Sequence, residues 1–228
     1  MIRTIPPLSE SENLIYADLV NNSFGIKVSS IVKRIFDFTF SLFGLIILSP
    51  FLALVAILIK RDSPGPVFYW GPRIGLHGAT FKMLKFRTMY ETPESYNGPR
   101  VTAREDNRIT PLGKWLRNTK LNGLPQLWNV LLGEMSFVGP RPEVPYYVER
   151  NARWFRGIRR LRPGITDWSS LIFRDEERLL AAHAGEPAFY ERTLLPRKVA
   201  LARLYARHQS WQLDLGLLAA TALILGGA

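Results

Sequence analysis

Phe38–Ile59 reads FTFSLFGLIILSPFLALVAILI, 22 residues without a charge. As a helix rising about 1.5 Å per residue, it reaches about the thickness of a bilayer's hydrocarbon core. Length alone therefore predicts a single spanning helix. Two features point elsewhere. Ser49-Pro50 sits at its middle, and proline removes a backbone donor and clashes with the preceding turn. Both ends are basic, Lys33-Arg34 before it and Lys60-Arg61 after it. Positive residues favour the cytoplasmic side, and a spanning helix can satisfy only one such end. A helix that enters, breaks at Ser49-Pro50 and returns satisfies both. Proline also occurs within spanning helices, so both topologies stand at this point.

The rest of the 228-residue chain is set against this segment. It carries 30 Lys+Arg against 19 Asp+Glu, a formal charge of +11, with 47% hydrophobic residues and no cysteine. Absent cysteine excludes disulfide scaffolds, Cys-ligated zinc, iron–sulfur clusters and thiol catalysis. Strong basicity joined to high apolarity suits anionic lipid or phosphate. The basic residues are scattered and no recognition motif is present, so nucleic acid is not expected. Residues 1–30 read as a polar extension; with Glu10, Glu12 and Asp18 and no apolar core they are not a signal peptide. Leu215–Ile224, with Trp211 ahead of it, is too short to span and suits an interfacial or core helix.

Between these segments the chain predicts short elements. Residues 62–80 are rich in Gly and Pro, flanking one short strand near Val67–Trp70. Residues 80–89 alternate apolar and basic, as a strand does. Its Lys82, Lys85 and Arg87 are either a solvated edge or an anion site. Residues 91–104 read as a loop. Thr110-Pro111 opens a helix, Thr as N-cap and Pro at the first position. That helix and Leu124–Met135 are amphipathic, with Trp115 and Trp128 and a basic face bearing Arg117. Ser136–Pro145, crowded with prolines, reads as irregular, and Arg141 between two prolines is stiffened for an anion. Glu149–Arg160 and Arg192–Arg207 read as basic helices. Arg162–Trp168 reads as a turn before a short strand or loop, and Asp175-Glu176-Glu177 as a helix start.

No nucleotide-binding glycine loop, nucleophile elbow or zinc-like histidine spacing occurs. Carboxylate chemistry supported by Arg and Lys is left. Glu105-Asp106 is the adjacent acid pair nearest the anion candidates. Acid pairs are common on loops, but hard divalent ions use one or two carboxylates plus phosphate oxygens.

Several motifs together resemble the bacterial sugar transferase family, the monotopic polyprenyl-phosphate phosphoglycosyl transferases. They are KRIFDF (Lys33–Phe38), Ser49-Pro50, FKMLKFRTM (Phe81–Met89), Glu105–Thr110, LPQLWNVLLGEMSFVGPRP (Leu124–Pro142) and RPGIT (Arg162–Thr166). The chain resembles the short, catalytic-core form. The resemblance implies an α+β, mainly helical monotopic membrane protein. Its expected parts are an extension over 1–30, a re-entrant helix broken at Ser-Pro over 31–61, and a catalytic domain over 62–228. That domain would combine interfacial amphipathic helices with a small cytosolic globular part holding a few short strands.

The resemblance further implies a reaction: a UDP-sugar gives its phosphosugar to undecaprenyl phosphate, releasing UMP, through a covalent carboxylate–phosphosugar intermediate and with Mg²⁺. The setting implied is the cytoplasmic face of the bacterial inner membrane, on an anionic bilayer. The family's acid dyad falls on Glu105 and Asp106. By position Glu105 is the nucleophile and Asp106 the metal ligand or acid/base partner, with the reverse assignment also open. Both are candidate Mg²⁺ ligands. Lys85, Arg87, Arg108, Arg117, Arg141 and Arg162 are the phosphate-binding candidates. Lys33, Arg34, Ser49 and Pro50 define the membrane hairpin. Three departures stand out: the dyad begins with Glu, Asn122-Gly123 stands where Asp-Glu commonly precedes L-P-Q, and Asp167 follows R-P-G-I-T where glycine is common. The alternative activity is a catalytically altered, membrane-anchored binding protein of the same family. The oligomeric state is open, a homodimer being one option.

Overall fold

The computed structural model describes residues 30–98, 101–102, 106–183, 186 and 188–226. Helix α1, Ser30–Asp62, is followed by an antiparallel hairpin of β1 (Phe68–Ile74) and β2 (Thr80–Phe86). A short α2 (Pro93–Asn97) leads to α3 (Pro111–Asn118), a 3-10 turn over Leu121–Gln126 and α4 (Leu127–Leu132). Strand β3 (Ser136–Val138) pairs in parallel with β4 (Gly164–Thr166) across α5 (Pro145–Arg150) and α6 (Ala152–Phe155). Helices α7 (Trp168–Ile172), α8 (Glu176–Ala182), α9 (Leu195–His208) and α10 (Trp211–Gly226) complete the α+β, mainly helical fold.

The expected break at Ser49-Pro50 does not end α1, which runs through Pro50. Ser49 Oγ donates back to Ile46 O at 2.8 Å, satisfying a carbonyl in the turn that proline disrupts. One stripe of α1 faces the rest of the protein. Asp37 and Ser41 are buried near its start, Val55 and Ile59 near its end. Ile35, Phe43, Ile46, Ile47 and Leu54 are exposed. Among the described residues it is the one helix long and apolar enough to cross a membrane.

Both ends of α1 are tied to the same body by polar bonds. At the start, Arg34 donates to Val130 O and Leu131 O, both at 2.6 Å. Asp37 Oδ1 accepts from Ser136 Oγ and Phe137 N, each at 3.1 Å. Lys33 pairs with the buried Asp214, which also accepts from Tyr205 OH at 2.7 Å. Lys33 and Arg34 thus serve inward partners. Both carbonyls bound by Arg34 lie in the last turn of α4, where Gly133 takes a left-handed φ of +83° and its own N–H also reaches Val130 O. Arg162 Nε adds a bond to Gly133 O at 2.8 Å.

At the far end, Arg87 is only 4% exposed. It donates to Ser63 O at 2.7 Å, to Ile59 O at 3.3 Å and to Pro64 O. Ile59 lies in the last turn of α1, and Ser63 and Pro64 directly follow its end. Replacing this guanidinium removes the donor from the carbonyl of buried Ser63, while Ile59 O keeps Ser63 N. Arg87→Met is expected to lower unfolding free energy by about 2–4 kcal/mol, read as a fall in denaturation midpoint in detergent. An unchanged midpoint would contradict the clamp.

Other boundaries also differ from expectation. β1 extends to Ile74, through Gly71-Pro72. The region read as irregular contains β3, because Ser136–Val138 finds a parallel partner beyond two intervening helices. Glu149–Arg160 is not one helix: Asn151 and Gly157 separate α5, α6 and a 3-10 turn over Ile158–Arg160. Thr110 caps α3 as expected, Oγ1 accepting from Gly113 N at 2.9 Å. The largest core joins α9, α10 and the segments around Trp168 and Phe155, with Leu194, Leu195, Leu201 and Tyr205 at its centre.

Candidate functional site

The site is built around Lys85, near the end of β2. Its cross-strand partner is Tyr69. Burial is the main force pushing the Lys85 ammonium well below the usual lysine range, and the positive fields of Arg73, Arg141 and Arg117 push further in the same direction. Glu177 opposes them. Arg73 of β1, Arg117 of α3 and Arg141 of the loop after β3 therefore all lie near Lys85 of β2. A group of cations that repel one another and lose solvation is held in readiness for an anion.

Each cation is positioned locally. Arg117, in the last turn of α3, donates to Glu177 Oε1 through Nε at 3.1 Å and Nη2 at 2.7 Å. Its Nη1 reaches Thr88 Oγ1 at 3.2 Å. Lys120 adopts a left-handed φ of +60° just beyond α3. That turn directs its Nζ to Arg174 O at 3.1 Å. Burial, with Arg141 and Arg117 adding to it, lowers the Lys120 pKa. A cavity of about 280 Å³ opens here between Arg117, Asn118, Lys120, Arg174, Glu177 and Arg178.

Arg141 donates from Nη1 to Ser170 Oγ at 3.3 Å. Ser170 is in turn held by Asp167, whose Oδ1 accepts from Ser170 N at 2.9 Å as the N-cap of α7. This gives the unusual Asp167 a role: it fixes the helix start on which Arg141 rests.

Behind the cleft lies a buried ionic network. Lys198, 4% exposed, donates to Glu176 Oε1 at 2.7 Å and lies 3.8 Å from Glu143 Oε1. Tyr190 OH donates to Glu143 Oε2 at 2.9 Å and accepts from Lys198 at 3.3 Å. Burial and the Glu143 carboxylate push the Tyr190 phenol well up. Burial alone would raise Glu176, but Lys198 and Arg141 outweigh it and hold the carboxyl below its usual range. Glu176 thereby anchors the first turn of α8, and Glu177 is presented to Arg117.

The sequence candidates divide accordingly. Lys85, Arg117 and Arg141 come together. Arg87 and Arg162 bind backbone carbonyls elsewhere. Arg108 binds Asp106 through both arms, Nε to Oδ1 at 2.8 Å and Nη2 to Oδ2 at 2.5 Å. Those bonds hold the Asp106 carboxyl below its usual range, with a smaller pull from Arg117. Asp106 therefore stands on the cleft's border, ionised and partnered. Glu105 lies outside the described residues. Ser49 and Pro50 lie in α1, away from these groups. Sequence reasoning missed Arg73, Lys120, Tyr190 and Lys198. Lys198 had a signal: it shares a helical stripe with Leu195, Leu201 and Ala202, an apolar face where a lysine needs a partner.

Among the described residues, no group of three or more His, Asp or Glu is placed to hold a metal. Asp106 offers one ionised hard carboxylate. That donor set fits Mg²⁺ only where phosphate oxygens supply most of the ligands.

The fold joins one helix long and apolar enough to cross a membrane to a cluster of cations bordered by the Asp106 carboxylate. Residues 28–226 match the model of the bacterial sugar transferase family, and the chain belongs to that family. It is 42% identical over 145 residues to the undecaprenyl-phosphate glucose phosphotransferase of Komagataeibacter xylinus, covering 61% of this chain and 27% of that protein. It is 42% identical over 119 residues to the putative undecaprenyl-phosphate N-acetylgalactosaminyl 1-phosphate transferase of Bacillus subtilis strain 168, covering 52% of this chain and 66% of the relative. It is also 42% identical over 150 residues to the exopolysaccharide production protein PSS of Rhizobium leguminosarum bv. phaseoli, covering 60% and 71%. The matched region is thus about a quarter of the first relative and about two thirds of the others.

Proposed function

We propose that the chain is a phosphoglycosyl transferase that moves a sugar phosphate from a UDP-sugar to undecaprenyl phosphate, beginning a bacterial polysaccharide or glycoconjugate. The observation carrying this reading is that Arg73, Arg117 and Arg141 lie near Lys85, with Arg117 and Lys120 lining a cavity of about 280 Å³. A diphosphate is the ligand that such cations suit, and the family supplies the reaction class. In the proposed sequence, a carboxylate oxygen of the Glu105-Asp106 pair attacks the phosphorus bearing the sugar. The bond from that phosphorus to the bridging oxygen breaks, and UMP leaves with the electron pair. A phosphate oxygen of undecaprenyl phosphate then attacks the same phosphorus and frees the carboxylate. Splitting one displacement into two lowers each barrier. Lys85, Arg117 and Arg141 hold the phosphates and offset the repulsion an anionic nucleophile meets. Mg²⁺ bound by Asp106 and phosphate oxygens would supply further charge neutralisation.

We read α1 as re-entrant, with both ends on the cytoplasmic side of the inner membrane. Its support is that Arg34 and Asp37 at one end and Arg87 at the other bind the same body. The exposed Trp115, Trp128 and Leu132, on helices that pack against α1, suit the headgroup level.

A second reading is a family member that binds these ligands without turning them over. Two observations favour it. Asp106 is committed to Arg108. The turn over Leu121–Gln126, which packs on β2 beside the cleft, carries Asn122-Gly123 and no carboxylate.

The test is Mg²⁺-dependent release of UMP from a panel of UDP-sugars with undecaprenyl phosphate, with trapping of the phosphosugar adduct. The transferase reading expects turnover by the natural chain, and loss of the adduct in Glu105→Ala or Asp106→Ala. Turnover confined to the double variant Asn122→Asp, Gly123→Glu would overturn it in favour of the second reading.

A further inference from the structure

We propose that Tyr69 is the platform on which the base of the nucleotide donor stacks. The inference rests on the nucleotide-sugar reading above and extends it to the part of the ligand that the cations leave unrecognised.

Tyr69 stands directly opposite Lys85 in the β1–β2 ladder. The two side chains therefore rise from the same face of the hairpin, with Cβ atoms about 5 Å apart. Gly71 and Arg73, two and four residues further on, share that face. Gly71 has no side chain, and the Tyr69 ring lies over it. A Cβ built at Gly71 would stand 2.9 Å from Tyr69 Cε1 and 3.3 Å from its hydroxyl. The ring is thus laid down along the strand, and Tyr69 is 43% exposed. Its neighbour Phe68, on the opposite face, is already stacked on Phe86 with centroids 5.5 Å apart.

A flat ring beside Lys85 and Arg73, with Arg141 and Arg117 near Lys85, matches the two halves of a nucleotide. Phosphates suit the cations and a planar base suits the ring. Aromatic stacking of this kind recognises any base and strengthens binding without a hydrogen-bond code.

The test uses the full chain in lipid nanodiscs, titrated separately with UMP, inorganic pyrophosphate and glucose 1-phosphate. Circular dichroism establishes that each variant is folded. Tyr69→Ala is expected to weaken UMP about tenfold while leaving pyrophosphate within about twofold. Tyr69→Phe keeps the ring and should retain UMP affinity. Gly71→Ala, by lifting the ring, should weaken UMP in the same selective way. If the natural chain binds both ligands and Tyr69→Ala changes neither, or weakens both equally, the stacking role is overturned and the nucleotide-sugar reading stands. A loss confined to glucose 1-phosphate would also overturn it, assigning the ring to the sugar. If the natural chain binds none of the three, the cleft's reading fails with it.

Discussion

Lys85→Met should stabilise the protein while crippling the cleft. Methionine fills a similar volume and removes a charge that burial and three arginines oppose. A gain of about 0.5–2 kcal/mol in unfolding free energy is expected, typical of relieving strain held for function. Transfer, measured as kcat/KM for UMP release, should fall by about 10²–10³-fold, as when one donor to a reacting oxyanion is removed. The sign of the pH dependence follows from the depressed pKa. With Lys85 protonated in both folded and unfolded chains, the folded state carries the whole penalty. The penalty is relieved as pH rises through the folded pKa toward the ordinary lysine range. The stability gap between Lys85→Met and the natural chain should therefore narrow on the alkaline side. Anion affinity of the natural chain should begin to fall at a lower pH than an ordinary lysine would give. A variant that lost both stability and activity would place Lys85 in the core rather than in the site.

Lys198→Met should act in the opposite direction on stability. It leaves Glu143 and Glu176 facing each other across Tyr190 without their shared cation. Stripping one partner from a buried ionic group costs about 3–5 kcal/mol, because the remaining charges stay desolvated. The denaturation midpoint should drop accordingly. Since Glu176 anchors the start of α8, the Glu177–Arg117 pair should loosen as well. In protein that is still folded, this would appear as weaker pyrophosphate binding. Replacing both acids along with the lysine, as Lys198→Met, Glu143→Gln and Glu176→Gln, should recover much of the lost stability. No recovery would locate the loss in packing rather than in charge.

The sequence made the long-range plan legible where one residue type had one plausible use. The uncharged run gave α1, the Thr110-Pro111 pair gave the start of α3, and alternation gave β2. Of the six cations that the resemblance marks as phosphate candidates, Lys85, Arg117 and Arg141 lie near one another in the fold. Arg87 was not separable from Lys85, because period-two spacing puts both on one strand face; β2 ends at Phe86, and beyond it the rule no longer applies. Arg162 and Arg141 likewise look equivalent until Gly133 O is seen to take one of them. Glu176 and Glu177 read as helix-start acids, which they are, but their partners come from distant segments that spacing does not reveal. The β3–β4 pairing was hidden because each strand is three residues long and set among prolines and glycines.

The polar clamps at the two ends of α1 have a consequence for how this molecule is made. Arg34 closes α4 and Arg87 closes α1, so anchor and body each finish the other's hydrogen bonding. Val55 and Ile59 of α1 share a core with Phe86 and Leu116. The anchor is therefore part of the folding unit and not a tether attached to it. On the proposed membrane topology, insertion of α1 into lipid and assembly of the cleft are one event.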